Sequence, residues 1–350
     1  MKKILYIIIS FVMTYNVYSQ GFNSIHTSDG INIIAVGDQG KIYRSANAGN
    51  SWKIYTLNSN NLKSVYSLLN DVWIAGENGI VYKTSIINSS VLTINSGQNF
   101  TINSIYFVNS NLGYLCGDGG NIYKSIDGGI SWALINSGIA NIKLNSISFK
   151  DLQNGVVVGD NGNIYTTNDA GINWTLEIIP VTRNLTKVKH FPDGVTVSGE
   201  WGTLLTKSDR SVWNQVDTKT NSDIKGITGS SLSDVHVCGG GGFIRNNKNG
   251  STNFMNFEIN PMLANLVDIF YYNSNLGFAV SSLNKTVIKT TNGGTTWTMP
   301  AGASISYNRI QKTPNASGIG NNLCMHPADR NSSFVVYGNK VYVSRDKGES

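Results

Sequence analysis

Residues 116–132 read CGDGGNIYKSIDGGISW. Fixed-period self-similarity is the first thing to seek in a chain of this kind, and this stretch is one copy of a repeat. Its first half returns as VGDQGKIYRS from Val36, AGENGIVYKT from Ala75, VGDNGNIYTT from Val158, SGEWGTLLTK from Ser198 and CGGGGFIRNN from Cys238. Worn copies start at Val280 and Tyr337. The first six start 39 to 42 residues apart.

Each unit divides into four short strands, A to D. Stretches such as NSIYF (103–107) and NSISF (145–149) supply strand A, and NGVVVGD (154–160) supplies strand B. A two-residue turn follows, Gln39-Gly40, Asn78-Gly79, Gly119-Gly120 or Asn161-Gly162. Such pairs suit a type I′ hairpin, which needs positive φ at both places. Strand C, as in NIYKS, sets Ile122 beside Tyr123 and Ile164 beside Tyr165. Neighbours on a strand point to opposite faces, so both faces are buried. A four-stranded sheet covered on both sides by sheets like itself is a propeller blade. The fold expected is therefore all-β, a β-propeller of seven blades, with eight as the alternative.

The second half of the window is the C–D turn. SIDGGISW (125–132), TNDAGINW (167–174), SANAGNSW (45–52) and TTNGGTTW (290–297) resemble the Asp-box, or BNR repeat. The longer pattern, with its preceding G-D-x-G hairpin, is most similar to the photosystem II assembly factor-like propellers of the sialidase-like superfamily. That resemblance implies a propeller and says little about activity, because function lives in sites and not in folds. The residue types fit a fastener. Asp127 and Asp169 can accept backbone N–H bonds within their own turn. Gly129, Gly171 and Gly294 allow positive φ, and Ser125 can bind further backbone groups. Trp52, Trp132, Trp174 and Trp297 offer large buried surfaces, each with a ring N–H that needs a partner. Asn47 and Asn292 stand in the place of the aspartate, an exchange that no catalytic carboxylate would tolerate. The second unit, TSIINSSVL (84–92), lacks the motif, and the fifth, KSDRSVW (207–213), is one residue short.

The remaining sequence sets the context. Lys2 and Lys3 precede the apolar run Ile4–Val12, and Val17-Tyr18-Ser19 ends in a small residue. This reads as a signal peptide over 1–19, hence export to the periplasm, the cell surface or the medium. Blades 1–7 are assigned to 20–300. Residues 301–350 are a partial further blade or the start of a second propeller. The chain stops at Ser350, where the repeat places its next Trp, so a monomeric propeller within a longer chain is expected. Charged residues make up 14% and the net charge is +6, with no basic stripe, so nucleic acid is not an expected partner. No run reaches the length of a membrane span. Cys116 and Cys238 hold the same place in two repeats and are expected to be too far apart to bond.

On the face opposite the C–D turns, the B–C turns carry Asp38, Glu77, Asp118, Asp160 and Glu200, one carboxylate in each of five successive units. They are candidate ligand-binding residues, or supports for their own hairpins. Trp201, at the tip of GEWGT, is a further candidate contact. No catalytic residue, metal site or cofactor is expected. Arg44 and Arg245 share a strand-C column and do not form a converging arginine set. The four histidines show no metal-binding spacing, though His26 and His190 are expected on innermost strands, able to line the channel. The reading is an exported, non-catalytic binding or assembly module for a protein or glycan ligand. The alternatives are a glycoside hydrolase of sialidase or xyloglucanase type, or an adhesion module of a larger surface protein.

Overall fold

The computed structural model describes residues 21–86, 91–179, 181–209, 211–247, 255–257, 265–282, 286–298, 322–325, 333–337 and 340–344. The expected signal peptide and the chain's final turn lie outside these residues.

The repeats fold as antiparallel blades. Blade 4 is typical, with strands Leu144–Phe149, Gly155–Gly159, Ile164–Thr167 and Thr175–Glu177 hydrogen-bonded in that order. Strand A lies innermost, and strand B is buried along its whole length in blades 1, 3, 4 and 7. Strand D is outermost and exposed in blades 1 and 3.

The core sits between blades. Tyr114, Cys116 and Ile122 of blade 3 pack against Leu144, Ile147, Phe149 and Val157 of blade 4. The same layering repeats around the ring, and burial on both sheet faces is its physical basis. Cys116 and Cys238 are buried, free thiols in different blades.

Two glycine columns make the repeat possible. The B–C turns have positive φ at both central residues, such as 55° and 67° at Asn78 and Gly79, or 60° and 73° at Asn161 and Gly162. The glycine ending strand B is needed for space. A Cβ on Gly37, Gly117 or Gly239 would stand 1.9–2.2 Å from a carbonyl oxygen at the start of its own blade's strand A.

The ring closes at seven. Strand A of blade 7 (Leu266–Tyr271) packs against strand A of blade 1 (Phe22–His26). At four other interfaces a serine at the third position of strand A accepts a backbone N–H from the next blade. The bonds are Val65 N to Ser24 Oγ, Ile105 N to Ser64 Oγ, Ile147 N to Ser104 Oγ and Val188 N to Ser146 Oγ. At the closure Asp268 replaces that serine. Its Oδ2 accepts from the Ile25 N–H at 3.1 Å and the Ser24 hydroxyl at 2.9 Å, and Lys187 stands 3.7 Å from Oδ1. Among the described residues, the fourth strand of blade 7 is represented by a bridge between Lys289 and Thr298. The eighth unit forms a separate three-stranded sheet, Asn322–Met325, Ser333–Tyr337 and Lys340–Ser344.

Candidate functional site

The C–D turns are hydrogen-bonded knots. In blade 3 the Ser125 hydroxyl donates to Asp127 Oδ1 at 2.8 Å and accepts the Gly129 N–H at 2.8 Å. Asp127 also accepts from Ile130 N–H, Ser131 N–H and the Ser131 hydroxyl. The Ser131 hydroxyl, and then its N–H, hold the Asp127 carboxyl down at about 2. Asp169 repeats the knot with Thr167 and Asn173, and its carboxyl is likewise lowered, first by the Asn173 N–H.

An amide serves equally well. Asn47 Oδ1 accepts the Ser51 N–H at 2.8 Å, while its Nδ2 donates to the Ser51 hydroxyl at 2.8 Å. Asn292 does the same with Thr296. The hydroxyl reverses its role from donor to acceptor, so Asp and Asn are interchangeable. One expectation needs correcting at the tryptophans. Trp52 and Trp174 donate to Gly49 and Gly171 carbonyls, but among the described residues Trp132 Nε1 and Trp297 Nε1 have no hydrogen-bond partner. All four rings are partly exposed.

The knots also bind the preceding blade. Trp73 of blade 2 donates to the Gly128 carbonyl of blade 3 at 2.8 Å, and Lys83 Nζ reaches the same oxygen at 3.1 Å. Tyr114 and Lys124 of blade 3 make the equivalent pair of bonds to the Ala170 carbonyl of blade 4. Arg44 and Arg245 point to backbone carbonyls of neighbouring blades, Ser85 and Thr218, and do not converge.

On the opposite face each candidate carboxylate is tied to its own blade. Asp38, Asp118 and Asp160 accept from the side-chain amides of Asn23, Asn103 and Asn145 at 2.8–3.0 Å. Glu77 accepts from Asn61 and pairs with Lys63 at 3.3 Å. Glu200 accepts from Asn184 at 3.0 Å. Those asparagines of blades 1, 3 and 4 also donate to the next blade's strand A. The five carboxylates therefore brace hairpins and blade junctions. Among the described residues no three His, Cys, Asp or Glu gather as a metal-binding group, and no helix is long and apolar enough to cross a membrane.

Trp201 stands apart from this bracing. It occupies the first position of its B–C turn at φ 57° and is 61% exposed. The Arg183 guanidinium lies 5.6 Å from its ring centre. A bulky residue is rare in this region of φ, which Gln39, Asn78 and Asn161 share at the same turn position.

The two inner-strand histidines part company. His26 lies in the channel wall, 4.7 Å from the Tyr66 ring and 4.4 Å from that of Phe270. Burial, then the charges of Lys189 and Lys187, hold it neutral, down to about 3. His190 is not in the channel. One residue further along its strand than the His26 position, it faces between blades 4 and 5, where burial and Lys150 lower it to about 4. Strand alternation decides this, because adjacent residues point to opposite faces.

Residues 87–186 match the family model for the photosynthesis system II assembly factor YCF48. The chain is a BNR-type propeller resembling that factor. The structure of YCF48 from Cyanidioschyzon merolae superposes with a TM-score of 0.62 at 16% identity, covering 78% of this chain and 96% of that one. A structure described as YCF48 bound to D1 peptide gives 0.64 at 17% identity, covering 76% and 90%. These likenesses establish the shared propeller. A search of the curated proteins finds no match.

Repeat columns alone pointed to Trp201, whose equivalents are Gln39, Asn78, Gly119 and Asn161. They did not point to Asp268 or to the Trp73–Lys83 clamp. Comparing the column of Trp73 with those of Tyr114 and Val156 would have been the available signal.

Proposed function

We propose that this chain is an exported, non-catalytic propeller that binds a polypeptide partner and acts in assembly. The observation that carries the reading is Trp201, exposed at a turn tip and backed by Arg183. Tryptophan and arginine are the residue types most often found at the energetic centre of protein interfaces. The blades hold this tip rigidly while the turns are free to vary. The likeness to YCF48, one structure of which is described as bound to D1 peptide, supports a polypeptide over a glycan. Export rests on the basic start and short apolar run of residues 2–12.

A photo-crosslinking residue at position 201, used in the producing cells, should capture a defined polypeptide, and Trp201→Ala should weaken that complex at least tenfold. Crosslinks confined to glycans would shift the reading to carbohydrate. Turnover of a sialoside or β-glucan, lost on substitution of one carboxylate, would overturn the non-catalytic reading. A mature N-terminus at Gln20 would support export, and a retained Met1 would refute it.

A further inference from the structure

At three blade interfaces the structure repeats a three-ring stack on the C–D turn side. Trp73 of blade 2 lies 3.6 Å, centre to centre, from Phe107 of blade 3, and Phe107 meets Trp132 edge-on. Tyr114, Phe149 and Trp174 repeat this between blades 3 and 4. His236, Tyr271 and Trp297 repeat it between blades 6 and 7. The first ring always comes from strand B of the preceding blade, and the middle ring from the sixth position of strand A. That middle ring needs a glycine opposite it. A Cβ on Gly113, Gly155 or Gly277 would lie within 3 Å of it.

The interface between blades 4 and 5 breaks all of these rules at once. The first ring is replaced by Val156, the middle ring by His190, and the opposing glycine by Val195. The blade 5 turn is the short one, and the clamping lysine column holds Thr166. In place of the clamp, two ion pairs bridge the interface with the lysine of one pair moved to the later blade. Lys207 pairs with Glu177 at 3.0 Å, and Lys150 pairs with Asp209. Beneath them lies a cleft of about 720 Å³ with Val156, His190 and Trp213 on its walls. Among the described residues His190 Nδ1 is buried without a hydrogen-bond partner. The volume falls within the ~300–1,000 Å³ usual for small binding sites. A smaller cleft, about 410 Å³, opens between blades 1 and 2, where the following blade has lost its motif and Ile34 holds the first-ring column. Both clefts open where the first ring is missing and the following blade's turn is lost or shortened.

We propose that the cleft between blades 4 and 5 is a docking site for an aromatic side chain of a partner polypeptide, which takes the place that Trp73 and Tyr114 fill in the preceding interfaces. The incoming ring stacks on the His190 imidazole, and the flanking peptide lies across the polar rim of Thr166, Glu177 and Lys207. Stacked aromatic pairs add roughly 0.5–1.5 kcal/mol beyond their buried area. The site is on the face opposite Trp201 and does not depend on that tip.

The test uses the isotope-labelled full chain and the probe Ac-Gly-Trp-Gly-NH2, with Ac-Gly-Ala-Gly-NH2 as control. The tryptophan peptide should cause saturable shifts at the Trp213 indole N–H and the Val156 amide, and the alanine peptide none. Val156→Tyr, which supplies the missing ring from within, should weaken binding at least tenfold. His190→Ala, which removes the stacking platform without adding bulk, should do the same. Trp201→Ala should leave it unchanged. Shifts centred on the Trp201 turn, saturable shifts with maltotriose or chitotriose but none with the tryptophan peptide, or binding indifferent to both cleft substitutions would each overturn the proposal. A partner held equally well by the wild-type chain and by Trp201→Ala, with cleft binding intact, would refute only the proposed function.

Discussion

Trp73→Ala should be far more damaging than Trp132→Ala, although the repeat makes Trp132 the signature residue. Trp73 is fully buried. Removing about 200 Å² of aromatic surface from water is worth about 5 kcal/mol at about 25 cal/mol/Å². The alanine Cβ keeps a small part of this, leaving a loss of about 4 kcal/mol, within the usual range for such truncations. The lost indole N–H adds little, since Lys83 Nζ still donates to the Gly128 carbonyl and no acceptor is orphaned. Trp132 is only partly buried and its Nε1 bonds nothing. Its truncation should cost about 2 kcal/mol, roughly half the buried area at the same coefficient. Urea unfolding followed by far-ultraviolet circular dichroism measures both, with the m-value checked for constancy. Equal losses, or a larger one at Trp132, would refute the view that the preceding blade's ring, and not the knot's own tryptophan, anchors the interfaces that carry the stack.

Three further outcomes follow from named groups. Asp127→Asn should change stability by less than about 0.5 kcal/mol, as for a neutral surface exchange, because Asn47 and Asn292 already serve the same knot; Asp127→Ala should cost about 1–2 kcal/mol by stripping a cap-like acceptor, both read from thermal melts. Asp268→Ala should cost about 3–5 kcal/mol by leaving Lys187 and three donors, the Ser24 hydroxyl and the Ile25 and Ile269 N–H groups, without their buried partner at the ring closure; hydrogen exchange should then quicken first in blades 1 and 7, and uniform quickening would argue against a local seam. His26 and His190 are held neutral, down to about 3 and about 4. The unfolded chain therefore binds more protons than the folded one below its own histidine value near 6.5. Stability is fully present above about pH 6.5 and falls by up to about 1.4 kcal/mol per pH unit for each histidine as the pH drops toward 4. His26→Gln should flatten that slope in urea titrations between pH 6.5 and 4.5, and an unchanged slope would count against the assignment.

Much of the architecture was legible in the chain. A period of 39 to 42 residues, paired apolar neighbours on strand C and Gly-bearing hairpins define a four-stranded unit covered on both faces. The positive φ values at Asn78-Gly79 and Asn161-Gly162 follow from local chemistry, and so does the exchange of Asn47 for aspartate. Such features depend on a few residues along one strand or turn. They are set by backbone sterics and short-range hydrogen bonds, which any reading of neighbouring residues reaches.

What joins the units depended on residues about 40 or more positions apart. Ser24 and Asp268 meet because the seventh blade returns to the first. That contact joins residues 244 positions apart and has no local signature. His190 belongs to an interface and not to the channel, since one step along a strand exchanges one face for the other. The cleft at Val156 lies where five departures from the repeat, spread over two blades, coincide at one junction. Sequence by itself determined the blade, the turn chemistry and the repeat period, and left the blade count at seven or eight. Only the tertiary structure decided where the ring closes and which interface stays open, because the energy of packing belongs to pairs of blades and not to either one alone.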